Sequence, residues 1–394
     1  MTKKMTNICM LLNGPIQNDH RVIKIINTLS KNSEVDLYYI KGNISDKDLF
    51  KNNSNLFSIN IDNNFSRKII KHTLFCFEFN LFIKSVLSKG KSYDYIWAND
   101  LPTLYPAFKI AKKLDSKLVY DSHEIYSETL NQFFPEKTTL LKSKIFYLLI
   151  KFMKIHGKFI EKRIFKKLHC FITVNKSLLN YFDKIYHIPN SLIIMNFPYL
   201  KSQTKIEKID FRKKYNWEGK SVIFIYQGVL NYGRGIKLFI KSLSITNNRY
   251  KLVILGDGPI KNEISTLINE LNLENRVKTI PMVSLNKYLN YTSAADFGLN
   301  LLEPINKSKE FASPNKLFEY IHRDKPVLCS NTYENKLVIE KYNVGLMTEN
   351  SMEEISKNIV KLSQDNNIVK KEFNLAKNEF NWERQEKKLL EIIL

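Results

Sequence analysis

Short, nearly continuous apolar runs alternate along this chain with stretches of helical periodicity. Residues 8–12, 35–40, 95–98, 117–120 and 170–174 read as strands buried on both faces. Between them, residues 21–30 and 104–114 carry apolar positions at three- and four-residue spacing, which predicts helices. The rhythm stops in a polar, irregular stretch at 198–218 and then resumes. Residues 222–226, 251–255, 277–280, 297–301 and 326–329 read as a second set of strands, with helices over 236–243, 259–271 and 285–294. A strand-then-helix order predicts parallel sheets with helices on both faces.

Two such series in 394 residues predict an α/β protein of two doubly wound, Rossmann-like domains facing a central cleft. The expected boundaries are 1–198 for the first domain, 199–218 for a linker, 219–375 for the second domain and 376–394 for a C-terminal helical segment. In doubly wound sheets ligands bind beyond the carboxyl ends of the strands, so the loops there are the places to look for chemistry.

Asn13-Gly14-Pro15 follows the first strand. Glycine at 14 permits close approach of backbone to a ligand, and Asp19 suits the cap of the next helix. Taken alone the segment reads as an ordinary tight turn, and it lacks the G-x-G-x-x-G spacing of a dinucleotide site. Asp121-Ser122-His123-Glu124 follows the strand ending at Tyr120. His123 can exchange a hydrogen bond with a sugar hydroxyl, and Glu124 can orient His123 or its loop. A capping turn is the alternative reading of these four residues.

The first strand of the second series leads into Gly228-Val229-Leu230-Asn231-Tyr232-Gly233-Arg234-Gly235. An arginine between glycines suits a diphosphate, which a guanidinium binds bidentately. A solvated loop arginine is the alternative, and the segment lacks the Lys-Ser/Thr ending of a P-loop. Gly256-Asp257-Gly258-Pro259 reads as a structural turn, with Pro259 starting the next helix. Ser313-Pro314-Asn315-Lys316-Leu317-Phe318-Glu319-Tyr320 reads as a helix start, Ser313 as N-cap and Pro314 at the first helical position. A helix N-terminus favours an anion, and Lys316 adds a mobile positive charge there. Glu319, one turn on, is placed to accept hydrogen bonds from a sugar hydroxyl. A solvated lysine on an ordinary helix is the alternative.

Composition adds two points. Against 39 Asp and Glu the chain holds 61 Lys and Arg, a formal net charge of +22, which implies an anionic partner: nucleic acid, lipid or a phosphorylated substrate. Residues 136–168 concentrate the excess, with ten Lys/Arg and two Glu interleaved with Ile145, Phe146, Leu149, Phe152, Met153, Phe159, Ile160 and Phe165. That is the composition of a basic amphipathic helix able to lie on an anionic membrane; a surface helix using its apolar stripe in the core is the alternative, although it leaves the charge excess unexplained. Cys9, Cys76, Cys170 and Cys329 are far apart, without C-x-x-C, and read as free thiols rather than zinc ligands or a disulfide framework. The first apolar run is too short for a signal peptide, and no run reaches the ~18 apolar residues of a membrane span. The expected location is the cytoplasm, or the cytosolic face of a membrane.

Taken together, these segments resemble family 4 of the retaining glycosyltransferases, of GT-B fold. The resemblance covers nearly the whole chain, and it implies that residues 1–198 are an acceptor-side domain, 219–375 a nucleotide-sugar-binding domain and 376–394 a C-terminal helix crossing back to the first domain. It is carried by Asp121-Ser122-His123-Glu124, by Tyr226-Gln227-Gly228 with Gly233-Arg234-Gly235, by Leu255-Gly256-Asp257-Gly258-Pro259, and by Ser313 to Tyr320 with Lys325-Pro326-Val327. It implies transfer of a hexose from a nucleotide-sugar to a saccharide or lipid-linked saccharide in cell-surface polysaccharide synthesis. It further implies that Gly14 and Gly228 let backbone approach the donor, that His123 contacts the donor sugar, that Arg234 and Lys316 neutralise the diphosphate, and that Glu319 binds the ribose. No cofactor or metal is expected. Two positions depart from the family pattern. Phe311 stands where a first Glu of E-x7-E is usual, with Glu310 one residue out of register, and Val229 stands where a basic residue is usual. Arg234 and Lys316 are then left to carry more of the phosphate binding. A sugar-nucleotide epimerase of the same fold is the nearest alternative. A basic nucleic-acid-binding protein is another, although no nucleic-acid module is recognisable and no nucleic-acid partner is expected.

Overall fold

The computed structural model describes residues 5–41, 44–52, 54–59, 78–133, 141–200, 209–283, 285–365 and 367–392. Cys76, residues 136–140 of the basic stretch and Lys201-Ser202-Gln203-Thr204 of the expected linker lie outside them. The chain forms two compact units, residues 1–196 with 385–394, and residues 197–384.

The first unit is built on seven parallel strands: β1 (Thr6–Leu12), β2 (Ser33–Ile40), β3 (Ser54–Ile59), β4 (Tyr95–Asn99), β5 (Lys117–Asp121), β6 (Cys170–Thr173) and β7 (Ser191–Ile193). Their order across the sheet is β3-β2-β1-β4-β5-β6-β7, so the direction of winding reverses between β1 and β4. The second unit holds β8 (Val222–Gln227), β9 (Tyr250–Leu255), β10 (Val277–Ile280), β11 (Phe297–Asn300), β12 (Val327–Ser330) and β13 (Gly345–Thr348). Its order is β10-β9-β8-β11-β12-β13, with the reversal between β8 and β11. Both sheets are parallel throughout the paired strands. Central strands such as Ile8–Leu11 and Ile223–Tyr226 are fully buried, because helices cover both faces, and this is why they read as unbroken apolar runs.

Helices join the strands as the periodicity predicts, with small shifts at their ends. Asp19 caps the helix His20–Leu29, its carboxylate accepting from the Val22 N–H at 3.0 Å. The helix expected from Pro259 begins two residues later, as Lys261–Glu270. The helix Asn315–His322 has Pro314, not Ser313, as its cap residue, and no side chain caps it. The proline ring sets φ at −67°, but ψ of 132° keeps the residue extended, so the helix starts one residue after the proline. Among the described cysteines, Cys9, Cys170 and Cys329 are buried free thiols, and burial raises the thiol pKa of Cys170 to about 11. Residues near the C-terminus are tied into the first unit. Lys31 pairs with Glu386 at 2.9 Å, and the Met195 N–H donates to Gln385 at 3.0 Å.

Candidate functional site

Strand register builds the polar loops of the first unit. Leu12 of β1 pairs with Asn99 of β4, which pairs with Asp121 of β5. Asn13-Gly14, Asp100 and Ser122-His123 therefore leave the sheet side by side, at the switch between β1 and β4 where such sheets bind ligands. A Cβ at Gly14 would meet no atom within 4 Å, so the fold itself makes no demand for glycine there.

The four polar residues at 121–124 divide. Asp121 is buried and accepts two hydrogen bonds from Arg21, at 2.7 and 3.2 Å, while Arg21 also donates to the Ile194 carbonyl at 2.6 Å. Its charge is thereby spent on holding the helix His20–Leu29 to the sheet. Ser122 is fully buried, its hydroxyl donating to the Glu124 carbonyl. His123 alone of the first three keeps substantial exposure. The carboxylate beside it is Asp100, with Nδ1 and Oδ1 3.3 Å apart, while Glu124, read as able to orient His123 or its loop, acts on the ring through its charge. Sequence reasoning passed over Asp100, although Asn99-Asp100 form a polar pair at the end of an apolar run, the same signal that drew attention to 121–124.

Asp100 sits at φ 60°, ψ 167°, a backbone region sparsely used by residues other than glycine. Its Oδ1 is buried and makes no hydrogen bond among the described residues. Burial, reinforced by Asp19, Glu124 and Asp121 and opposed by His123, pushes its carboxyl up to about 7. Burial works against a charged His123 ring, but the carboxylates of Asp100, Asp19 and Glu124 outweigh it and hold its pKa above the usual value.

In the second unit the loop after β8 runs from Gly228 to Gly235, and Gly235 caps the helix Ile236–Ser244. Gly235 has φ of 65°, and a Cβ there would lie 2.4 Å from the Leu301 Cβ, so only glycine fits. Glu303, after β11, clasps this loop twice. It accepts from the Gly235 N–H at 3.0 Å, and its own N–H donates to the Gly233 carbonyl at 3.1 Å. Behind the loop, a Cβ at Gly256 would stand 1.9 Å from the Gly228 carbonyl oxygen. The Gly256-Asp257-Gly258 turn is thus structural, as expected, and it serves as the backing of the Gly228 loop.

Arg234 is half-buried, and its Nε makes no hydrogen bond among the described residues. Lys316 is only 7% exposed, neither the mobile charge expected at the helix start nor the solvated lysine of the alternative reading. Its ammonium lies 3.7 Å from the centroid of the Tyr226 ring and likewise finds no hydrogen-bond partner among the described residues. Burial, followed by the repulsion of Arg234 and Lys309, lowers its pKa well below the usual lysine value, with Glu319 opposing. Lys309 is itself buried and was not anticipated. A lysine within Lys307-Ser308-Lys309-Glu310 gives no sequence signal that it turns inward.

Glu319 is half-buried and braced from β8. Gln227 donates to it at 2.7 Å and accepts from the Thr292 hydroxyl at 2.6 Å, and the Tyr288 phenol also bonds Glu319. Glu310, by contrast, is exposed and paired with Lys307 at 2.7 Å. The unit thus collects a braced carboxylate and three inward cations around the end of β8. Such a charge pattern is matched by an anion carrying hydroxyl groups. Among the described residues no group of three or more His, Cys, Asp or Glu is placed to hold a metal ion.

Residues 207–382 match the family model described as Glycosyl transferases group 1. The chain is 23% identical over 345 residues to an uncharacterized glycosyltransferase of Methanocaldococcus jannaschii, covering 72% of this chain and 84% of the relative. It is 25% identical over 169 residues, 42% of this chain and 45% of the relative, to the N-acetylgalactosamine-N,N'-diacetylbacillosaminyl-diphospho-undecaprenol 4-alpha-N-acetylgalactosaminyltransferase of Campylobacter jejuni. Among solved structures, Anabaena HepE in complex with UDP and glucose superposes with a TM-score of 0.68 at 15% identity, over 98% of this chain and 99% of that one. The architecture is the GT-B fold, and the match of residues 207–382 to the group 1 model, together with relatives named glycosyltransferases, identifies the protein as a glycosyltransferase.

Proposed function

We propose that the protein is a retaining hexosyltransferase. It moves a sugar from a nucleoside-diphosphate sugar to a saccharide or lipid-linked saccharide acceptor in cell-surface polysaccharide synthesis. The observation that carries this reading is Lys316, a buried ammonium without a hydrogen-bond partner among the described residues, coupled to Arg234. Burying an unpaired charge is costly, and a second cation nearby raises the cost. An incoming diphosphate relieves both.

The donor's anomeric carbon–oxygen bond breaks, and its electron pair leaves on the diphosphate. Arg234 and Lys316 stabilise that developing charge, with Lys309 adding to the field. The sugar passes through an oxocarbenium-like state. The acceptor oxygen bonds the anomeric carbon on the face the diphosphate leaves, and the acceptor proton passes to a departing phosphate oxygen. No protein nucleophile is required. Glu319 accepts from the ribose hydroxyls, with Gln227 holding it in place, and Gly228 keeps the loop close to the phosphates. In the first unit, Gly14 gives the donor phosphate access to backbone. His123 hydrogen-bonds the transferred sugar through Nε2 while Asp100 flanks Nδ1.

The Anabaena relative's complex with UDP and glucose makes UDP-sugars the first donors to test. The Campylobacter relative is named for a diphospho-undecaprenol acceptor, which supports a lipid-linked acceptor here. A thermal-shift panel of nucleotide sugars identifies the donor, since ligand at 100 times Kd stabilises by about 2.7 kcal/mol. Product analysis by NMR, with and without acceptor, then reads the reaction. An α-linked product from an α-linked donor is expected. A product formed from the donor alone, epimerised at a ring carbon, would replace this reading with the epimerase.

A further inference from the structure

The helix Leu141–Ile164 presents two apolar faces. Ile150, Met153, Ile160 and Ile164 are buried along one of them. Leu148, Phe152, Ile155 and Phe159 follow one another at spacings of four, three and four along the other, and they are 64, 51, 61 and 58% exposed. A helix that only covers a core leaves its opposite face polar. Four large apolar side chains in one outward row over roughly 16 Å of helix form a patch of the kind that marks an interaction surface.

The charges around the row have one sign. The 24-residue helix carries seven Lys/Arg and a single Glu. That one carboxylate, Glu161, is buried on the inward side, where Tyr120 and Tyr186 donate to it at 3.0 and 2.8 Å. Lys151, Lys162 and Arg163 are exposed beside the row, and exposed Lys166 and Lys167 follow its end. Lys154 and Lys158 pair with Glu128 of the neighbouring helix Tyr126–Phe133. Among the described residues no helix is long and apolar enough to cross a membrane.

We propose that this face docks flat on an anionic bilayer. Leu148, Phe152, Ile155 and Phe159 enter the boundary between headgroups and acyl chains, and Lys151, Lys162, Arg163, Lys166 and Lys167 lie over lipid phosphates. An apolar row bordered by cations matches the two layers of such a surface, apolar below and anionic above. The inference goes beyond the transfer reaction and does not depend on which sugar is moved.

The test is co-sedimentation of the full chain with phosphatidylcholine vesicles, with and without phosphatidylglycerol, at low and high salt. Two variants accompany it, Phe152→Asn with Phe159→Asn, and Lys162→Glu with Arg163→Glu. All four side chains are exposed, so both variants should fold, which circular dichroism and an unchanged nucleotide-induced thermal shift verify. The wild type is expected to partition onto anionic vesicles, release at high salt, and lose roughly tenfold or more in partitioning in either variant. Absence of vesicle binding by the wild type at low salt would overturn the proposal. So would binding that the apolar variant leaves unchanged. A solution dimer that the Phe152→Asn, Phe159→Asn variant dissociates, with no vesicle binding, would instead assign the face to a second copy.

Discussion

The Lys316 ammonium rests 3.7 Å from the centre of the Tyr226 ring, on the floor of the second unit's loop region, with its charge unmatched by any hydrogen bond among the described residues. Ring and ammonium attract, but a single cation–π contact of about 2 kcal/mol does not offset full burial of a charge. Lys316→Met should therefore raise the stability of the ligand-free protein by roughly 1–2 kcal/mol. The same substitution should lower kcat/KM by about 2–4 kcal/mol of transition-state stabilisation. Urea unfolding and steady-state kinetics read the two opposite effects. A variant that is both less stable and fully active would remove Lys316 from the site.

Arg234→Ala is expected to cost a similar ~2–4 kcal/mol in kcat/KM. Arg234 is more exposed than Lys316, so no matching gain in stability should accompany it. Unchanged turnover in Arg234→Ala and Lys316→Met together would dismiss the phosphate assignment.

Glu319 gives a binding effect rather than a catalytic one. Glu319→Ala removes a charged acceptor and leaves Gln227 without its 2.7 Å partner. Nucleoside diphosphate affinity, measured by calorimetry, should fall by about 1.5–3 kcal/mol. In the kinetics the change should sit mainly in KM, with kcat altered much less.

Gly235→Ala tests the loop as a scaffold. The new Cβ meets Leu301 and must adopt φ of 65°, so about 1–3 kcal/mol of stability should be lost. Glu303→Gln keeps the shape but weakens the acceptor of the Gly235 N–H, and should lower nucleotide affinity with little change in melting temperature. A large fall in melting temperature with intact affinity would make Glu303 a purely structural residue.

Asp100 and His123 give the stability a pH dependence of defined sign. Unfolded Asp100 ionises near 3.8, but in the fold it holds its proton to about 7. Between these values the folded state binds the extra proton, so stability falls as pH rises through that window. His123 is also raised in the fold. Its contribution is full below its unfolded value near 6.5 and is lost as pH rises through the folded value. Both groups act in the same direction. Asp100→Asn should flatten the decline in urea midpoint between pH 4 and pH 8, and an identical slope in wild type and variant would contradict the pairing.

Strands of the sheet interiors were legible because burial on both faces demands apolar side chains at every position. The strands left unread, β3, β7 and β13, are all edge strands. Ser54–Ile59 shows why, since an edge strand half-open to water can carry Ser and Asn without cost. The loops after β1, β5 and β8 could be picked out for the same reason, as polar residues interrupting apolar runs.

Which of those polar residues remain available for chemistry was decided by tertiary contact alone. Asp121 and His123 are two residues apart, yet Arg21, a hundred residues away, engages the first, and Asp100 stands beside the second. Lys316 and Lys309 look like surface lysines in sequence, and only the packing of β8 against the helix Asn315–His322 turns Lys316 inward onto Tyr226. The helix Leu141–Ile164 shows the same division. Its basic, apolar composition is written in the sequence, but which apolar residues meet the core and which meet solvent depends on the face the sheet covers. Local chemistry sets what a segment can form. The charge partners that neutralise or expose its side chains come from distant parts of the chain, and no local pattern encodes them.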